Sequence, residues 1–127
     1  MVKVSLIDVV KAKLKKEDLV YTLPDKLEVK IGRDKGNDIA LGSRGTDVSV
    51  KIGKENVGMS EDFISTVSRN HCVIYNNKGI VSVEDVGSRN GTYVNDIKIP
   101  ANDSMPLKND DILRLGYYIL KVKMEED

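Results

Sequence analysis

The sequence predicts an all-β domain, a sandwich or barrel of short strands. Three observations predict it. Nearly every apolar segment alternates with period two or is a short β-branched run. Polar turn pairs separate these segments at close spacing. No stretch carries a helical period for longer than a turn, and there is no internal repeat.

The strands follow in order. Residues 2–6 (Val-Lys-Val-Ser-Leu) open the series, followed by 19–23, 27–31 and 38–41. Residues 73–75 and 80–83 come next, and the last third adds 92–94, 97–99, 112–115 and 118–122. Between them lie Pro24-Asp25, Gly36-Asn37-Asp38, Asn76-Asn77-Lys78-Gly79, Asn90-Gly91, Asn95-Asp96 and Asn109-Asp110. These pairs tolerate the backbone angles that tight turns need. Such a succession is the pattern of a β-sandwich or barrel.

The 127 residues suit one domain, and 40% hydrophobic with 31% charged residues is ordinary globular composition. Twenty Lys and Arg balance twenty Asp and Glu. A formal net charge of zero argues against nucleic-acid or membrane-surface binding, which needs a broad basic field. Any anion must therefore be captured by a local cluster. Cys72, the only cysteine, permits no internal disulfide and reads as a buried thiol. The first residues have no signal-peptide core and no run reaches a membrane span, so a cytoplasmic location is expected. The triplets Asn90-Gly91-Thr92 and Asn102-Asp103-Ser104 then carry no weight as glycosylation sites.

Two segments stand apart. Residues 10–16, rich in lysine, read as a solvated strand end guarding a sheet edge rather than a nucleic-acid patch, because Glu17 and Asp18 follow at once. Residues 42–66 are long and polar with a small alternating piece at 48–52, and read as an inserted loop bearing its own short hairpin.

Three turn regions could bind an oxyanion, which is held by arginines, hydroxyls and backbone N–H groups on rigid loops. They are Gly32-Arg33, Ser68-Arg69-Asn70-His71 and Gly87-Ser88-Arg89-Asn90-Gly91-Thr92. Each alone has an ordinary explanation. Gly-Arg can simply end a strand, Ser-x-x-His can be a hydrogen-bonded loop, and Asn-Gly can be a plain type I′ hairpin turn.

The ordered set of Gly32-Arg33, Asn37-Asp38-Ile39, Ser68-Arg69-x-His71 and Ser88-x-Asn90-Gly91-Thr92, with Asn95 downstream, resembles the forkhead-associated (FHA) domain. The similarity runs over about residues 27–122, within one domain taken as 1–127. The resemblance implies a sandwich of two twisted sheets whose loops at one end grip a phosphothreonine peptide, as in Ser/Thr-kinase signalling. It implies that Arg33 and Ser68 hold the phosphate, with Arg69 as a further cationic contact. Asn90 would bond the peptide backbone, with Arg89 adjacent. Gly32, His71 and Gly91 would be architectural: Gly32 for close backbone approach, His71 to tie down the Ser68 loop, Gly91 for the turn. Residues 42–66 exceed the family's usual connection.

Two other functions compete. In a hydrolase using Ser68 and His71, side chains three apart in an extended chain would point to opposite faces. An orienting third group and an oxyanion hole would also be needed, and there is no Gly-x-Ser-x-Gly elbow. A phosphate-independent scaffold sandwich would have no reason to gather Arg33, Ser68, Arg69 and Asn90. A metal is not expected, since His71 and Cys72 are neighbours on a strand and face opposite ways. No cofactor is expected either.

Overall fold

A computed structural model describes residues 2–8, 20–41, 50–52, 55–57 and 65–126. Among them run β1 (Val2–Asp8), β2 (Val20–Thr22), β3 (Glu28–Gly32), β4 (Ile39–Ala40), β5 (Val50–Ile52), β6 (Glu55–Val57) and β7 (Cys72–Asn77). The series continues with β8 (Ile80–Asp85), β9 (Thr92–Val94), β10 (Ile97–Lys98), β11 (Ser104–Pro106), β12 (Ile112–Leu115) and β13 (Tyr118–Glu126). The described residues contain no helix.

Two open sheets make a sandwich, one of the two architectures that the period-two pattern allowed. One has the order β10-β9-β12-β13-β1-β2, the other β11-β8-β7-β3-β4. Alternation places one face of each strand inward. Val4, Leu6, Val94, Leu113, Leu115, Leu120 and Val122 of the six-stranded sheet meet Val29, Ile31, Ile74, Val81 and Val83 of the five-stranded one. Leu6, Leu113, Leu115 and Leu120 are fully buried, each contributing about 1.5–3 kcal/mol. Leu41, Val67, Ile99 and Leu107 add to this core from connecting segments.

Two of the hairpins have two-residue turns with positive φ at both positions, a geometry that matches strand twist. Lys78-Gly79 joins β7 to β8 and Asn95-Asp96 joins β9 to β10, with φ of 53°, 88°, 48° and 66° in that order. Asn90-Gly91 is not such a turn: only Gly91 has positive φ. The segment 86–91 carries the chain from β8 in one sheet to β9 in the other.

Antiparallel pairing places the site loops together. Cys72 opens β7 opposite Ile31, near the end of β3, and opposite Asp85, the end of β8. Thr92 opens β9 opposite Leu115, the end of β12. The loops after β3, before β7, after β8 and after β12 therefore meet at one end. Within residues 42–66, β5 and β6 pair as a separate antiparallel ribbon. The rest of that segment before Ser65, and the lysine-rich 10–16, lie outside the described residues. Residue 66, by contrast, is tied to the sandwich, since Tyr117 N–H donates to Thr66 Oγ1 at 2.9 Å.

Candidate functional site

The wall between β3 and β7 depends on what Gly32 lacks. A Cβ there would sit 2.1 Å from the Arg69 carbonyl oxygen and 2.8 Å from Asn37 Nδ2. With no side chain in the way, Arg33 N–H donates to Ser68 O at 3.0 Å and Asp34 N–H to Arg69 O at 3.3 Å. Buried Asn37 completes the brace, donating through Nδ2 to Asp34 O (2.9 Å) and Arg69 O (2.7 Å). Asp38 pins the other side, accepting from Lys30 N–H at 2.9 Å and Lys26 Nζ at 2.7 Å. The Lys26 bond and then the Lys30 amide hold its carboxyl below the usual range. The Asn37-Asp38 pair thus builds the support of the Arg33 loop.

His71 is fully buried and both its ring nitrogens are committed to backbone. Nδ1 accepts from Ser68 N–H at 3.0 Å, and Nε2 donates to Gly91 O at 2.9 Å. These bonds require the neutral Nε2–H tautomer. Burial pushes the ring below the ordinary histidine range, against the opposing pull of the Gly91 carbonyl and the Asp85 charge. His71 thus joins the Ser68 loop to the 86–91 loop and has no nitrogen left to act as a base toward Ser68 Oγ.

The 86–91 loop is shaped from beneath by Asp85, which the sequence reading did not single out. Its buried carboxylate accepts from Gly87 N–H (3.2 Å), Ser88 N–H (3.3 Å), Thr92 Oγ1 (2.7 Å) and Ser88 Oγ. Burial pushes this acid up, but the Ser88 and Thr92 hydroxyls and the two amides outweigh it and leave the pKa lowered. The signal was present as Asp85-x-Gly87-Ser88, a side chain placed to bond the backbone two and three residues on. Gly91, with φ of 89°, closes the loop where a Cβ would meet Tyr93 at 3.0 Å.

The five residues singled out for binding line one open cleft of about 410 Å³: Arg33, Ser68, Arg69, Arg89 and Asn90. Ser68 Oγ accepts from Arg89 N–H at 2.9 Å, which leaves the hydroxyl hydrogen to donate outward. Asn90 Nδ2 donates to Thr66 O at 2.9 Å, which fixes the amide while its oxygen and second hydrogen stay available. Arg33 is half-buried and Arg69 and Arg89 are exposed. Among the described residues, the ion pairs involve Lys26, Lys121 and Lys123, and none of these three guanidinia. The described residues hold no His/Cys/Asp/Glu group that could hold a metal. Cys72 is buried, and burial followed by the Asp85 charge pushes its thiol pKa far up.

The model of the FHA domain matches residues 29–116. The chain belongs to the FHA-domain family. The FHA domain is a binding module, and this chain is one rather than an enzyme. Solved structures share its fold. An FHA domain studied for phosphothreonine-dependent interactions is 22% identical, with TM-score 0.68 over 98% of this chain and 99% of its own. The FHA domain of CT664 from Chlamydia trachomatis is 20% identical, with TM-score 0.67 over 98% and 99%. The yeast splicing factor Pml1 is 25% identical, with TM-score 0.65 over 99% of this chain and 82% of its own.

Proposed function

We propose that this FHA domain binds phosphothreonine peptides through the Arg33–Asn90 cleft and serves as a reader of Ser/Thr-kinase output in the cytoplasm. One observation carries the reading: Ser68 Oγ is already an acceptor from the Arg89 amide, so its hydrogen is left to donate to an incoming acceptor, beside arginines that have no ion pair among the described residues. A phosphoryl group, close to doubly charged at pH 7, takes the guanidinia of Arg33 and Arg69 and the Ser68 hydroxyl as donors. Asn90, held by Thr66, offers one acceptor and one donor to an extended peptide backbone. The related FHA domain whose interactions are phosphothreonine-dependent supports the same reading, as does the single buried thiol, suited to a reducing compartment.

Calorimetry with phosphorylated and unphosphorylated versions of one peptide tests it. Binding should require the phosphate and weaken as salt rises. Arg33→Ala should lower affinity by about 30-fold or more, since truncating one partner of a desolvated charge pair costs roughly 2–5 kcal/mol. Equal affinity for the two peptides would replace this reading with the phosphate-independent scaffold.

A further inference from the structure

The cleft holds more positive charge than one phosphate needs. Arg33, Arg69 and Arg89 line it, and among the described residues no Asp or Glu does. A phosphothreonine brings about −1.5 to −2, which two guanidinia match. The third is left over in a protein whose formal net charge is zero.

Arg89 also differs from an arginine that serves the fold. Arg114 stacks over the Tyr93 ring at 3.8 Å and donates to Gly116 O at 2.8 Å. Arg89 has no such partner among the described residues, yet its backbone is among the best fixed in the cleft. Its N–H is held by Ser68 Oγ, the next residue is tied to Thr66 O, and Asp85 braces Gly87 and Ser88 before it. The Asp85 carboxylate is itself engaged by those donors and Thr92, not by a guanidinium. A fixed backbone carrying an unengaged guanidinium is a preorganised donor for a ligand anion.

We propose that Arg89 is the specificity residue of this cleft and recognises a second negative group, a carboxylate or a further phosphate, within about two residues of the phosphothreonine. The inference rests on the phosphopeptide reading above and deepens it. Arg89 directly precedes Asn90, the residue assigned to the peptide backbone. An extended peptide advances roughly 3.3 Å per residue, which keeps the second anion close to the first.

The test uses three degenerate phosphothreonine peptide pools. The first excludes Asp and Glu from the two positions on either side. The second places Asp or Glu there, and the third places one phosphoserine there. Fluorescence polarisation gives each dissociation constant for wild type, Arg89→Gln and Arg89→Lys. The wild type is expected to bind the second or third pool about three- to tenfold more tightly than the first, the range of a partly exposed charged contact. Which of the two gains tells carboxylate from phosphate. In Arg89→Gln the ratio to the first pool should fall to about one, with Arg89→Lys between, since it keeps the charge and loses the planar fork. A wild-type ratio near one, or an undiminished ratio in Arg89→Gln, overturns the assignment while phosphothreonine binding stands. If wild type binds none of the pools, the phosphopeptide reading and this inference fail together.

Discussion

His71 joins two loops by two bonds, and its removal has a calculable cost. His71→Ala leaves the Ser68 N–H without its acceptor at 3.0 Å and takes one of two donors from Gly91 O, which keeps the Gly116 N–H at 2.9 Å. The donor left unsatisfied costs about 1–3 kcal/mol, and the lost bond to Gly91 O about 0.5–1.5 kcal/mol. Water entering the space left by the imidazole would recover some of this. The expected loss is thus about 1–4 kcal/mol, a large share of the roughly 5–15 kcal/mol that holds a domain together. Urea titration at pH 7.5 should show a lower midpoint, and phosphopeptide affinity should fall with it as the Ser68 loop loosens. The same residue sets an acid limit. Its folded-state pKa is depressed below 6.5, chiefly by burial, so the unfolded chain binds the proton first. The stabilisation is complete above about pH 6.5 and is lost as the pH falls below that value and through the folded one. His71→Gln should remove this segment of the stability–pH curve. A midpoint unchanged by His71→Ala, or the same acid dependence in His71→Gln, would refute the account of the bridge.

Further tests probe the supports. Gly32→Ala should destabilise by about 2–4 kcal/mol, because a Cβ 2.1 Å from Arg69 O displaces a carbonyl that holds Asn37 and Asp34; an unchanged melting curve would show that the wall yields freely. Asp85→Asn should cost about 1–3 kcal/mol, since an amide replaces one acceptor oxygen with a donor facing donors, and a heteronuclear spectrum should show the largest shifts at Gly87, Ser88 and Thr92. Ser68→Ala removes both the acceptor for Arg89 N–H and the hydroxyl offered to phosphate, so affinity for a phosphothreonine peptide should drop at least tenfold with only a small change in stability, read by calorimetry and urea titration. Cys72 should resist a thiol reagent at pH 8 in the native protein and react at once in urea; prompt native labelling would place it outside the core.

The strands and tight turns were legible because they are local. Lys78-Gly79 and Asn95-Asp96 announce positive φ at adjacent positions, and the structure uses them so. Asn90-Gly91 announces the same and means something else, because Asn90 is captured by Thr66, 24 residues away. Strand β11 escaped notice, and the hairpin expected within residues 42–66 was not given its second strand. Ser104-Met105-Pro106 has no alternation to read, and its proline is tolerated because β11 is an edge strand. The β5 partner, Glu55–Val57, is too short and polar to stand out. The site residues were named from a resemblance in motif order, and the structure brings all five to one cleft. Their supports were harder to see. Asn37 acts in part through the Arg69 carbonyl, 32 residues away, and no sequence spacing encodes which carbonyl a side chain will find. Asp85, by contrast, carried only the local Asp-x-Gly-Ser signal for the amides that follow it.

The outer strands of the chain meet in one ladder. Val2 lies opposite Glu126, and seven residue pairs run from there to Asp8 and Leu120. Asn76, near the β7–β8 turn, donates to Val2 O at 2.9 Å, which sets this meeting point at the end of the sandwich away from the cleft. Tension applied through Val2 and Glu126 therefore enters an antiparallel ladder at one tip. Its bonds open in succession, as the teeth of a zip do, instead of bearing the load side by side. The domain should yield to a modest pull, and the force should reach the cleft only after β1 has peeled away.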